Sequence, residues 1–210
     1  MKTRIKICGL TREADVEAAV EAGADAIGFV FYPQSPRFVS PQRAAELSCL
    51  IPPFVTITAL FVNALPEDIE AVLEQVPVSL MQFHGDETEA DCCRWQRPYL
   101  RAVRMKPGLD LLQYATDFAS ARALLLDAFV EGYGGGGQTF DWSLIPSGLP
   151  IPLVLSGGLT PENVGEAVRR VRPAAVDVSS GVEISKGIKD AAKIAAFVAA
   201  VRAADQEKDA

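Results

Sequence analysis

Eight short apolar runs punctuate the chain, at residues 5–8, 26–31, 56–62, 80–83, 99–105, 123–127, 153–156 and 175–178. Each is nearly continuous in apolar residues, the pattern of parallel strands covered on both faces rather than of strands with one wet side. Between them the spacing turns helical. Ile69, Val72, Leu73 and Val76 follow i, i+3, i+4, i+7, as do Val164, Ala167, Val168 and Val171, and Ile194, Phe197, Val198 and Val201. Ser40 before Pro41 and Thr160 before Pro161 each offer an N-cap oxygen with proline at the first helical position, and Asp86 followed by Glu89 reads as a capping box. The weakest helix is the fifth, at 110–118, with only Leu111, Leu112, Ala115 and Phe118 to pack.

Strand and helix alternate without a break in composition, so the predicted architecture is α/β, a single-domain (β/α)8 TIM barrel over residues 1–210. A doubly wound open sheet would want a GxGxxG turn after the first strand, which is missing. Residues 204–210, ending in the polar DQEKDA, are expected to be a frayed tail.

Composition narrows the class. At 210 residues and 49% hydrophobic content the chain can bury a core without disulfides or metal. A net charge of -7 with no Lys/Arg-rich run argues against a nucleic-acid surface. The opening MKTRIKICGL is too charged for a signal peptide and no later stretch is apolar enough to span a bilayer, so a cytoplasmic protein with no membrane partner is expected. Cys8, Cys49, Cys92 and Cys93 form no CxxC pair and no metal-ligand spacing, so reduced thiols and no metal are expected.

Candidate chemistry begins at two glycine-rich strand ends, LVLSGGLTPENV over 153–164 and AVDVSSGVE over 175–183. Small residues there let backbone N–H groups converge on an oxyanion, as in the phosphate site after the last two strands of a (β/α)8 barrel. Gly157, Gly158, Ser179, Ser180 and Gly181 are therefore candidates to bind a phosphorylated small molecule. Other polar residues at strand ends are Cys8, His84, Asp127, Ser156 and Asp177, with Arg37 in the loop after the second strand. A nearby helix start would favour the Cys8 thiolate, although a small buried thiol is an equal reading. Asp127 follows three leucines, a costly place for a carboxylate unless it is paired or functional. Arg37, between prolines, can grip a carboxylate or phosphate bidentately, or be a solvated loop residue. His84, the single histidine, suits a hydrogen-bonded structural role better than a catalytic one. Asp177 can orient the 179–181 loop or cap its own backbone. The run EGYGGGGQTFDW at 131–142 is a candidate lid or a plain connection.

The motifs KICGLT at 6–11, GFVFYPQSPRFVS at 28–40, QFHGDE at 82–87, LLLDA at 124–128, GGGGQTFDW at 134–142, LSGGLTPENV at 155–164, VDVSSGVE at 176–183 and GIKD at 187–190 together resemble the phosphoribosylanthranilate isomerase family along nearly the whole chain. The resemblance implies an eight-stranded barrel, no cofactor, and an Amadori rearrangement of N-(5'-phosphoribosyl)anthranilate. It implies Cys8 as general base and Asp127 as general acid, with Arg37 at the anthranilate end of the substrate. His84, Gly157, Gly158, Asp177, Ser179, Ser180 and Gly181 complete the expected binding set, in a monomer or homodimer. Two positions depart from the family pattern: Gly136 replaces a threonine and Phe83 a leucine. The chemistry asks for a carboxyl that holds a proton and a thiol that gives one up; apolar walls favour the first and positive charge the second. Rivals are another phosphosugar enzyme on the same barrel, disfavoured because no lysine is expected at a strand end, and a non-catalytic phosphosugar binder.

Overall fold

The computed structural model describes residues 2–106, 108–128 and 139–207. The glycine run 134–137, read as a lid or a plain connection, lies outside the described residues. Eight strands, β1 Arg4–Cys8, β2 Ala26–Val30, β3 Thr56–Phe61, β4 Leu80–Phe83, β5 Tyr99–Met105, β6 Ala123–Ala128, β7 Leu153–Leu155 and β8 Ala175–Val178, pair in sequence order. All pairs are parallel, and β8 closes the barrel on β1 in the register Lys6↔Asp177. Every strand falls within one residue of its expected limits at each end.

Period-2 alternation divides each strand between two cores. Ile5, Ile7, Phe29, Phe61, Phe83, Leu124 and Leu126 pack outward under the helices. Leu100, Ala102, Ala123, Leu125 and Val154 fill one layer of the barrel interior, and Cys8, Val30, Leu60 and Val62 line another. The parity that turns Ile5 and Ile7 outward turns Lys6 and Cys8 inward, where Lys6 meets Asp177.

Helices α1 Glu13–Glu21, α2 Pro41–Ser48, α3 Pro66–Gln75, α4 Glu89–Cys93, α5 Leu111–Asp117, α6 Val164–Val171 and α7 Ala191–Gln206 surround the barrel. Between β6 and β7 the described residues hold a single 3₁₀ turn, Trp142–Leu144, in place of an α-helix. Ser40 caps α2 by accepting from the Arg43 N–H, as its pairing with Pro41 predicts. Two other caps fall elsewhere than expected. Asn163, not Thr160, precedes α6, and its Oδ1 accepts from the Thr160 N–H, so Thr160–Pro161 form the turn leading in. The capping box of α4 joins Thr88 and Asp91, two residues beyond Asp86 and Glu89, because the Thr88 hydroxyl reaches the Asp91 N–H.

Residues 204–206, expected to fray, continue α7: Ala204 is buried, and Asp205 accepts from both the N–H and the hydroxyl of Thr3. That contact ties the end of the last helix to the start of the first strand, which local polarity could not reveal. After β8 a short hairpin, β9 Glu183–Ser185 and β10 Ile188–Lys189, turns at Gly187 (φ 81°) and brings Glu183 and Lys189 under the loop that carries Arg37.

Candidate active site

The C-terminal ends of the strands open into a pocket lined among others by Cys8, Arg37, Gln82, His84, Asp127 and Asp177. Ser156, Gly157, Gly158, Ser179, Ser180 and Gly181 form its other side. All of the expected site residues thus converge on one cavity.

Asp127, the last polar residue of β6, is held from two directions. Oδ1 accepts from the Ala128 N–H at 2.9 Å, and Oδ2 lies 3.2 Å from His84 Nε2. Gln82 Nε2 stands 3.3 Å from His84 Nδ1. Gln82 and Asp127 thus hold the two ring nitrogens of His84 from opposite sides. His84 itself is placed by Arg101, buried outside the barrel, which donates to the carbonyls of Phe83 and Gly85 and pairs with Glu87 at 2.8 Å. His84 is therefore both a structural partner of Asp127 and a wall of the pocket.

Cys8 ends β1, 4% exposed. The helix that was to favour its thiolate begins only at Glu13, with Arg12 at the cap. Burial pushes the Cys8 thiol up, against the lowering pull of Lys6 and of Lys189. The positive field at the sulfur thus comes from side chains, not from a helix end, and it does not overcome burial. Lys6 lies two residues before the strand end and outside the pocket lining, yet its side chain reaches Cys8.

Arg37 is buried, not a solvated loop residue, and its bidentate edge is taken: Nε and Nη2 donate to the two oxygens of Glu183 at 2.7 and 2.8 Å. A substrate anion meets only what remains of the guanidinium. Glu183 also accepts from Lys189 at 2.9 Å. Burial alone would raise the Glu183 carboxyl, but the hydrogen bond from Arg37 and the charge of Lys189 hold it below the usual range. Replacing Arg37 by Ala is expected to raise KM about tenfold or more, the scale of one charge-assisted hydrogen bond, with a smaller fall in kcat. Steady-state kinetics checks it, and an unchanged KM and kcat would place Arg37 outside the site.

Asp177 neither caps its own backbone nor reaches the 179–181 loop. Its Oδ1 pairs with Lys6 at 2.8 Å, and Oδ2 lies 3.5 Å from the Ser156 hydroxyl.

The two glycine-rich turns pack against each other and against Asp127. Gly157 has φ 77°, and a Cβ there would press on the Ala128 N–H and lie 2.9 Å from Asp127 Oδ1. A Cβ on Gly181 would run into the Leu159 carbonyl oxygen, so the second turn can approach the first only without a side chain. Gly181→Ala is expected to weaken binding of the phosphorylated product about tenfold or more and to lower Tm, because the obstruction is backbone and cannot rotate away. Calorimetric titration and a thermal melt read both.

Lys6, Gln82, Glu183 and Lys189 escaped the sequence reading. The signal for Lys6 was available: two residues before Cys8 on one strand, it must share the face of Cys8. Gln82 carries the same parity relation to His84. Glu183 and Lys189 meet Arg37 only through the hairpin, for which the sequence offered no comparable sign.

A closed (β/α)8 barrel with a cysteine, an aspartate and two glycine-rich turns facing one pocket defines the class of barrels built for acid/base chemistry on a phosphorylated small molecule. Among the described residues no group of three or more His, Cys, Asp or Glu side chains is placed to hold a metal ion. The family described as N-(5'phosphoribosyl)anthranilate (PRA) isomerase matches residues 5–200, and the chain belongs to it. The N-(5'-phosphoribosyl)anthranilate isomerase of Dechloromonas aromatica is 70% identical over 206 residues, 98% of this chain and 99% of that one. A crystal structure of phosphoribosyl anthranilate isomerase from Thermotoga maritima superposes with a TM-score of 0.85 at 44% identity, covering 96% of this chain and 99% of that one. A crystal structure of phosphoribosyl anthranilate isomerase in complex with reduced 1-(o-carboxyphenylamino)-1-deoxyribulose 5-phosphate gives 0.82 at 41% identity, with 96% and 99% covered.

Proposed function

We propose that the protein isomerises N-(5'-phosphoribosyl)anthranilate to 1-(2-carboxyphenylamino)-1-deoxyribulose 5-phosphate, a step of tryptophan biosynthesis, in the cytoplasm and by acid/base catalysis from its own side chains. The observation that carries this reading is that Cys8 and Asp127 share one pocket with the two glycine-rich turns, in a chain of this family. No helix among the described residues is long and apolar enough to cross a membrane.

The phosphate sits against Gly157, Gly158, Ser179, Ser180 and Gly181, with the anthranilate end toward Arg37. Asp127 in its acid form gives a proton to the ring oxygen as the bond from C1' to that oxygen breaks, leaving an iminium at C1' and a free hydroxyl. The iminium acidifies the C2' proton, which the Cys8 thiolate removes to give a neutral enolamine. Tautomerisation then yields the ketone. Cys8 loses its proton to solvent and Asp127 takes one up, which resets the pair. His84, bonded to Asp127, fixes the direction from which the acid approaches; Asp177 holds Lys6 at the base of the pocket.

The test is to add the protein to freshly generated phosphoribosylanthranilate and follow loss of the substrate's fluorescence. A decay rate proportional to protein concentration is expected. Calorimetric binding without conversion would overturn the reading in favour of a phosphosugar binder. The T. maritima relative is named as dimeric, with monomers generated from it; for this chain a monomer or a homodimer is proposed, and sedimentation at two concentrations separates them.

A further inference from the structure

Lys6 is 4% exposed and stands on the interior face of β1, one residue pair below Cys8. Its Nζ donates to Asp177 Oδ1 at 2.8 Å. Burying an ammonium and a carboxylate together seldom stabilises a fold relative to apolar side chains of the same size, so stability is a poor explanation for the pair. Its position under the thiol is a better one. An ammonium has three protons to donate, and Asp177 leaves Lys6 with others.

Gly28 on β2, paired in register with Cys8, shows how close the two groups are. A Cβ built there would lie 2.8 Å from Cys8 Sγ and 3.1 Å from both Cε and Nζ of Lys6. The sulfur and the ammonium therefore flank one small space, which any side chain at position 28 would fill. Gly28 is not among the residues of positive φ, so its backbone does not call for glycine; the space does.

We propose that Lys6, fixed by Asp177, is a positioning residue that stabilises the ionised Cys8 sulfur, and that Gly28 is the residue that lets the two groups meet. The proposal deepens the reading of Cys8 as general base and rests on it. Lys6 gives up no proton in the cycle: it pairs with the thiolate before C2' is deprotonated, and is left with Asp177 once Cys8 has become a thiol.

The charges around the sulfur agree with this division of roles. Burial raises the Cys8 thiol, Lys6 is the strongest group opposing it, and Asp177 on β8 works against Lys6. Lys189 from the hairpin and Arg37 from the loop after β2 also face Cys8, and both are already engaged by Glu183. Burial would lower Lys6, but Asp177 and then Cys8 outweigh it, so the side chain remains an ammonium.

The experiment is the pH dependence of iodoacetamide alkylation at Cys8, read by mass spectrometry of its peptide so that Cys49, Cys92 and Cys93 do not contribute, alongside kcat and KM. Lys6→Met is expected to move the alkylation midpoint upward by about one unit or more, with kcat down about tenfold and KM changed less than about threefold. Lys6→Arg, which keeps the charge, should recover most of the midpoint shift. Gly28→Ala removes no charge, but its methyl would press on the Cys8 sulfur and turn it aside; it should move the midpoint in the same direction by separating sulfur from ammonium. Should Lys6→Met fail to fold, Gly28→Ala decides alone. A wild-type midpoint in the folded variants overturns the proposal. Full turnover in Cys8→Ala would instead sink the general-base reading, a result the alkylation midpoint does not share.

Discussion

Asp127→Asn is expected to lower kcat by ~10²-fold or more with little change in KM, the scale of one positioned acid in a proton transfer. The substitution isolates the proton. Asparagine has the shape of aspartate, can still accept from the Ala128 N–H through its oxygen, and turns its amide N–H₂ toward His84 Nε2, which then accepts. What it lacks is an acidic hydrogen for the departing ring oxygen. The furanose then stays closed, no iminium forms, and the C2' proton is never acidified. The measurement is steady-state turnover by fluorescence, paired with calorimetric binding of the product to show that the pocket is intact. Near-wild-type turnover would remove Asp127 from the mechanism.

Cys8→Ala should cost a similar factor, ~10²-fold or more in kcat, by removing the base that takes the C2' proton. The deletion leaves a small space at the top of the barrel beside Gly28, and Lys6 keeps its bond to Asp177, so the fold is expected to survive. The two losses should not add. Without the acid the iminium is not made, and without the base it is not consumed, so the double variant should be little slower than the worse single one. A double variant slower by the product of the two factors would mean that Cys8 and Asp127 both act in one rate-limiting transition state rather than in successive steps. Ring opening in Cys8→Ala can be trapped with borohydride, which reduces an accumulated iminium; the same reagent should trap nothing in Asp127→Asn.

The two residues whose variants carry these large effects were visible in the sequence for different reasons. Asp127 stood out because a carboxylate after three leucines has no cheap structural explanation. Cys8 did not stand out by itself, since a small thiol at a strand end is as often buried filler; the surrounding KICGLT gave it meaning. The expectations that failed concern partners rather than positions. Arg37 was seen, but not that Glu183 occupies its bidentate edge. Asp177 was seen, but not that it answers Lys6, 171 residues away in sequence. Pairings of this separation leave no trace in local composition.

Local caps show the same limit at short range. Ser40 was correct because serine followed by proline at N1 leaves the chain little choice. At α6 the competing Asn163 took the cap and turned Thr160 into a donor, a contest between two capable residues three positions apart that spacing does not settle.

The sequence by itself determined the eight strands, their parallel order and which ends carry polar residues, because a strand buried on both faces must be apolar throughout and each such run can be read without its neighbours. It also determined the small residues at the phosphate turns, since only they permit the close approach seen at Gly157 and Gly181. The tertiary structure alone decided the electrostatics: which charge faces the Cys8 sulfur, which carboxylate holds Arg37, and which side chains hold His84 against Asp127. These depend on barrel closure and on burial, where the effective dielectric falls and a neighbour from the far end of the chain outweighs anything nearby in sequence.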